Sequence, residues 1–359
     1  MKTLRIIDWP EQRFYGDSHP LHRWKPLLKA YGILIEFCSN HLDSRLDGSD
    51  YLLIHSRYFK AWQHLPTRTP GNEAALLRYL SVMKGRVGRL IWFDAADSSG
   101  SADLALMPLV DAILKKQLLK DRSYYTNRSP AAELRIWLNN PGTAQPATPF
   151  QPCQPAELSK LRLAWNLGLN DYRYYACKTS RLSNVLSRRI YPDRVVPVLK
   201  KRPYDLAFRG TLHADAAVNN VSAQRNQLLQ LLGTLGRKVV TGKNIGKAAY
   251  LRELRNSKVS ISPYGWGEIC YRDFETFLAG SLLIKPDMTH LETFPNLFLP
   301  EQTYLPVPWD LTGLSNLVHQ VLDNYTEYRH IAEHAQEHYH KQSNDGHAFV
   351  CQLLQSIEQ

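Results

Sequence analysis

The stretch Ser262-Pro-Tyr-Gly-Trp-Gly-Glu-Ile-Cys-Tyr-Arg-Asp-Phe-Glu-Thr-Phe-Leu-Ala-Gly280 decides the fold. It reads as the end of a short apolar strand (Val259 to Ser262), a glycine-punctuated turn and an amphipathic helix. Gly265 and Gly267 let the backbone come close to a ligand, and the helix start behind them offers N–H groups and a positive dipole end to an anion. Glu268, Arg272 and Glu275 fall at i, i+4 and i+7, so a helix spanning them carries all three on one face. Phe274, Phe277 and Leu278 fill the opposite, core-facing side. A cation flanked by two carboxylates suits a ligand with both phosphate and ribose hydroxyls, so the expectation is a nucleotide diphosphate site. The plainer alternative is an ordinary surface pair between Glu268 and Arg272. Against it stand the second acid on the same face and the buried strand that follows, Leu282-Leu-Ile-Lys-Pro286. Strand, turn, helix and strand make a βαβ unit, whose ligands sit at the carboxyl ends of the strands.

Outward from this unit, strands and helices alternate in the manner of doubly wound α/β domains. In the first half the spacing predicts strands at Leu4–Ile7, Ile33–Phe37, Tyr51–His55 and Arg89–Phe93. Helices are predicted at Leu21–Tyr31, Asn72–Lys84 and Leu104–Leu119. Asn139 to Pro155 has the composition of a long surface loop, and Ala156–Leu167 and Asp171–Arg189 read as helices. Val195 to Pro203 reads as a linker. The second half predicts strands at Asp205–Phe208 and Lys238–Thr241, and helices around Arg225–Leu235, Lys247–Asn256, Leu314–Tyr325 and Tyr328–His340.

Other motifs sit at strand ends. Arg209 and Gly210, in Phe208-Arg-Gly-Thr211, pair a planar, permanently charged fork with exposed backbone N–H groups, as phosphate binding requires. Thr241-Gly242-Lys243 offers Lys243 as a further phosphate contact, without the spacing of a Walker loop. Tyr264 or Trp266 is placed to pack on a sugar or base, or else to plug the domain interface. Trp92-Phe-Asp94-Ala-Ala-Asp97 sets two carboxylates just past a strand, so Asp94 or Asp97 is expected as a general base, with helix capping as the plainer role. His19, in the loop Tyr15-Gly-Asp-Ser-His-Pro20 after the first strand, is the rival base, and the plainer role of that loop is to carry acceptor contacts. His330, His334 and His338 lie at i, i+4 and i+8, but nothing completes a metal site around them and they read as a solvated helix face. No Asp-x-Asp pair is present, so no metal is expected, and no cofactor.

Tyr250 through Pro286, with Leu-x-x-Ser-Lys-Val-Ser-Ile-Ser-Pro-x-Gly and the later Arg-x-x-Glu, resembles the C-terminal half of exostosin-like and related bacterial GT-B glycosyltransferases. Tyr204-Asp-Leu-Ala-Phe-Arg-Gly-Thr211 resembles the first strand and loop of that half, and the likeness covers about residues 200 to 310. It implies a GT-B fold, an α/β architecture of two Rossmann-like domains facing across a cleft: an acceptor domain at 1–195, a donor domain at 204–340, and a final helix in 341–359 crossing back. It implies transfer of a sugar from a nucleotide-sugar donor to a glycan or lipid-linked saccharide, in bacterial surface polysaccharide synthesis. Arg209 and Arg272 would contact the donor phosphates, alongside the Gly265–Glu268 turn, and Glu275 the ribose. Only six residues separate Glu268 from Glu275, where many retaining members have seven, which leaves the stereochemical outcome open.

Composition sets the outer limits. At 359 residues the chain fits two domains, and 44% apolar with 21% charged residues is the balance of a globular protein, not a disordered one. No apolar run approaches the about 18 residues of a membrane span, and the N-terminus is too short in apolar length for a signal peptide. Five scattered cysteines without a Cys-x-x-Cys pair argue for a reducing, cytoplasmic setting. A net charge of +11, with clusters at Lys115-Lys116, Arg188-Arg189 and Lys200-Lys-Arg202, leaves an anionic membrane face or a lipid-linked phosphate as partner options. Nucleic acid ranks last, since no nucleic-acid module appears. The alternative to an enzyme is a nucleotide- or glycan-binding protein on the same fold.

Overall fold

The computed structural model describes residues 1–8, 16–59, 69–100, 103–127, 152–170, 184, 195–210, 220–242 and 245–359. The long loop before Pro155, the helix expected over 171–189, Thr211 and Lys243 lie wholly or mostly outside them.

In the first half, β1 (Lys2–Ile7) leads to α1 (His19–Arg23) and α2 (Lys25–Ala30), then β2 (Ile33–Cys38) and β3 (Tyr51–His55). The single helix expected at 21–31 is broken at Trp24, because Pro26 lacks the N–H that would continue the ladder. After α3 (Pro70–Lys84), capped by the Thr69 side chain, come β4 (Arg89–Asp94), β5 (Ala112–Lys115), β6 (Gln117–Leu119) and β7 (Leu161–Leu163). The helix expected over 104–119 is therefore a correction. A short 3₁₀ turn at Leu104–Leu109, with Pro108 inside it, gives way to strands. All of β5 is buried between β4 and β7, so its apolar run does not alternate and imitates a helix segment. Residues 156–167 likewise hold a 3₁₀ turn and β7, not a helix.

The second half runs β8 (Tyr204–Ala207), α4 (Asn220–Thr234), β9 (Val239–Val240), α5 (Lys247–Arg255), β10 (Ser257–Ile261), α6 (Tyr271–Ala279) and β11 (Leu282–Pro286). Then follow β12 (Leu291–Thr293), β13 (Leu305–Val307), α7 (Leu314–Asp323), α8 (Tyr325–Asn344) and α9 (Gly346–Glu358).

Two parallel sheets result, ordered β2-β1-β3-β4-β5-β7 and β9-β8-β10-β11-β13. Counted within each half, both begin 2-1-3-4, so each has a topological switch point beside its first strand. α9 packs Phe349, Val350, Leu353 and Ile357 into the core of the first sheet, with Trp24, Leu28 and Trp165. Each such fully buried side chain contributes about 1.5–3 kcal/mol.

The two sheets are joined, not merely linked. β6, from the first half, pairs antiparallel with β12, from the second. Phe274 and Phe277 of α6 share one apolar cluster with Leu52, Leu90, Trp92 and Ile113. At the centre of the joint the buried Glu268 carboxylate accepts from the Ser99 N–H (3.1 Å), Ser99 Oγ (2.5 Å), Ser98 Oγ (3.2 Å) and Gln117 Nε2 (3.0 Å). Beside it a Cβ on Gly267 would stand 1.7 Å from the Asp97 carbonyl oxygen, so no other residue fits.

The segment 195–203 crosses between the sheets without helix or strand. Its Arg202 is buried and donates to the carbonyls of Arg255 (2.8 Å), Ser257 (3.1 Å), Ala279 (2.8 Å) and Pro197 (3.2 Å). It thereby satisfies the C-terminal ends of α5 and α6, where a cation also meets the negative dipole end.

Two outcomes follow. Arg202→Met removes the donor shared by the Arg255, Ser257, Ala279 and Pro197 carbonyls and lowers unfolding free energy by about 2–4 kcal/mol in urea denaturation. Glu268→Ala strips the acceptor from four buried donors and costs about 3 kcal/mol, with Glu268→Gln losing about half that. An unchanged denaturation midpoint in either alanine or methionine variant contradicts the role assigned here.

Candidate functional site

The second sheet's switch point lies between β8 and β10. β8 runs into Phe208, Arg209 and Gly210, and β10 runs into the Gly265–Gly267 turn and α6. Three guanidinium groups converge there. Arg272, second residue of α6, lies 5.3 Å over the Phe208 ring and donates from Nη2 to the Arg209 carbonyl. Its Nε is buried and has no hydrogen-bond partner among the described residues. Arg225, from α4, passes 3.6 Å from where a Cβ on Gly265 would be and 3.8 Å from the same point on Gly210. Burial, then repulsion from Arg272, pulls the Arg225 guanidinium below the usual arginine value. Two like charges held together in a half-buried pocket mark a place built for an anion.

Behind them Glu275, on the same face of α6 as Arg272, is buried and receives Lys247 Nζ at 2.8 Å. The Tyr250 phenol is pushed well up by burial and then by the charge of Glu275. Arg272 and Glu275 therefore share Tyr250 as a neighbour on one face of α6.

Several expectations are corrected. Glu268 is not on the helix: α6 begins after Cys270, whose N–H is accepted by Asp273 in a capping box, and Glu268 turns into the joint between sheets. The helix start is thus occupied by its own carboxylate, and cations, not bare N–H groups, dominate the pocket. Gly267 serves the close approach of Asp97, not a ligand. Tyr264 is buried and donates to the Asp287 carbonyl (2.5 Å), so it packs the core. Trp266 is 58% exposed on the same turn. Arg209 is gripped by Glu253 through two bonds of 2.8 Å, which places its own charge against a carboxylate. Gly210 and Gly265 do lie against the arginines. Arg225 escaped the sequence reading; its signal is its place in the first helix after the switch-point strand.

On the first sheet, Asp94 is fully buried, with Lys115 Nζ at 2.9 Å and the Ala96 N–H at 2.9 Å. It is a structural ion pair out of reach of a substrate. Asp97 is partly exposed and meets Arg57 (3.2 Å) and Lys116 (3.3 Å). His19 is buried, with Nδ1 3.1 Å from Asn184 Oδ1. Lys115 and Lys116, expected in a basic surface cluster, are buried, and so is Arg202; none belongs to a surface that meets a membrane or nucleic acid. Near Asp97 and Lys116 lie His55 and Asn170, which the sequence reading passed over, and Asp17, from the loop read as a carrier of acceptor contacts; all three are buried.

His334 and His338 of α8 face the carbonyls of Gln302 and Asn296. Among the described residues no group of His, Cys, Asp or Glu is arranged to hold a metal, and no helix is long and apolar enough to cross a membrane.

No protein-family model and no curated protein matches the chain. Solved structures do. An alpha-glucosyltransferase in complex with UDP superposes with a TM-score of 0.52 at 8% identity, covering 99% of this chain and 100% of that one. The T4 phage BGT in complex with its UDP-glucose substrate gives 0.47 at 9% identity, covering 100% of both chains. HepE of Anabaena, in complex with UDP-glucose, gives 0.45 at 12%, covering 99% and 100%. At such identities the likeness is one of fold. With two parallel sheets joined by a two-stranded ribbon and by the turns beyond β4 and β10, the chain has the GT-B fold.

Proposed function

We propose that this protein is a glycosyltransferase that takes its sugar from a nucleotide diphosphate donor, with UDP the first nucleotide to test. The observation that carries the proposal is the convergence of Arg225 and Arg272 at the β8–β10 switch point, with buried Glu275 beside them. When the bond from the anomeric carbon to the phosphate breaks, negative charge grows on the diphosphate. Two preorganised guanidinium groups in a half-buried pocket stabilise that charge without reorganising. Glu275, fixed by Lys247, accepts hydrogen bonds from ribose hydroxyls. With arginines holding the diphosphate, the reading needs no metal ion. The UDP bound by the alpha-glucosyltransferase of the same fold supports the choice of nucleotide. A glycan or lipid-linked saccharide is the acceptor class we put forward, in bacterial surface polysaccharide synthesis.

The test is thermal unfolding with UDP and a panel of nucleotide-sugars. Saturation at a hundredfold over Kd stabilises by about 2.7 kcal/mol. Arg272→Ala weakens UDP binding by about 2 kcal/mol, or roughly 30-fold, and Arg272→Lys recovers little of it because a point charge cannot replace the fork. If no nucleotide shifts the wild-type transition, the proposal is wrong; if UDP binds yet no donor is ever turned over, a binding protein on this fold is the better description.

A further inference from the structure

Between Gly265 and Gly267 stands Trp266, 58% exposed and more open to water than any other Trp, Tyr or Phe among the described residues. The backbone beneath it is fixed. The Gly265 N–H donates to the Gly267 carbonyl at 3.0 Å, while Tyr264 before the turn and Glu268 after it are both buried. Single apolar side chains scattered over a surface are ordinary. An indole is different when a turn anchored on both sides holds its large face in water. The two flanks of the turn carry different chemistry. On the Gly265 side stands Arg225, 3.6 Å from where a Cβ would be. On the Gly267 side stands Asp97, whose own Cβ lies 3.0 Å from the corresponding point. Unlike Asp94 and Asp17, Asp97 can be reached from solvent: its side chain is 32% exposed and that of its partner Arg57 24%. Arg57 and Lys116 both meet Oδ1, and Oδ2 takes no hydrogen bond from the described residues.

We propose that Trp266, Asp97 and Arg57 form the acceptor subsite, and that it takes a saccharide: one pyranose ring lies on the indole while Asp97 and Arg57 hold its hydroxyls. This rests on the glycosyl-transfer reading of the second sheet, which also sets the direction of the donor. With ribose at Glu275 and diphosphate at Arg272 and Arg225, the donor runs along α6 toward the helix start. Its sugar end therefore faces the 265–267 turn, and its base lies at the far end, away from Trp266. A pyranose has an apolar, slightly positive face of C–H groups that matches the negative face of an indole. Its rim carries hydroxyls that need an acceptor and donors, and a carboxylate beside a guanidinium supplies both. Trp266 comes from the second half of the chain, Asp97 and Arg57 from the first. The subsite exists because the Glu268 contact brings the two turns together. A nucleobase also stacks on indole, but a nucleic acid would bring its phosphates toward the Asp97 carboxylate, which repels them.

The experiment measures binding by ligand-observed NMR, with the full chain saturated with UDP and a panel of methyl pyranosides and their disaccharides. At least one pyranoside is expected to bind, with saturation passing mainly to its ring C–H protons. Trp266→Ala weakens that binding about tenfold or more, and Trp266→Phe recovers most of the loss. Asp97→Asn weakens it about fivefold. The thermal shift given by UDP stays as in the wild type in all three variants, because UDP carries no hexose to reach the turn. If no pyranoside binds the UDP-loaded wild type, or if Trp266→Ala binds as the wild type does, the assignment is overturned. It is overturned equally by a wild type that holds single-stranded DNA through Trp266 and takes no pyranoside. Absence of a UDP shift in the wild type sinks the glycosyl-transfer reading itself, a failure seen before any saccharide is added.

Discussion

The contact on which the rest depends is the one between the turn at Gly267–Glu268 and the turn at Asp97–Ser99. A carboxylate buried among neutral donors is expensive to desolvate, and it is tolerated because the Ser98 and Ser99 hydroxyls, the Ser99 N–H and the Gln117 amide saturate it. That requirement fixes the approach of the two sheets to within a hydrogen bond. Lys285 adds to it from below, reaching the Glu268 carbonyl at 2.5 Å and Asp273 at 3.2 Å, with all three buried. An interface with a shared apolar core and a two-stranded ribbon across it favours a single rigid body over two hinged ones.

The two halves divide labour by electrostatics. At the second switch point Arg225 and Arg272 stand close enough to repel, while Glu253 takes up the charge of Arg209 and Glu275 lies beside Arg272. At the first, Asp17 and Asp97 interleave with Lys116 and Arg57, so charge is nearly balanced. The same strand order thus presents opposite chemistry across the joint, with α6 as the element common to both.

Much of this was legible in the sequence, and the limits are physical. β3 and β11 could be bounded to the residue, because short apolar runs flanked by turn formers have few other solutions. β5 could not, since a strand buried on both faces carries no alternation. Arg272 and Glu275 were legible through helical spacing, but the same spacing misled at Glu268, because the capping box at Cys270 and Asp273 starts the helix later than periodicity suggests. The fate of Asp94 was illegible: nothing local says that Lys115 lies beside it across a parallel pair. Asp17 was hidden for the same reason, its partners coming from strands far apart in sequence.

One further consequence concerns which residues the joint permits. Gly267 and Gly280 bracket α6: a Cβ on the first meets the Asp97 oxygen at 1.7 Å, and on the second, where φ is +65°, the Val196 oxygen at 2.4 Å. Neither clash can be relieved by a rotamer, because both obstacles are backbone. A chain that closes its two halves in this manner must leave both sites bare of side chain, thirteen positions apart. Because backbone and not side chain sets it, that pair of voids constrains the sequence more tightly than any charged residue nearby.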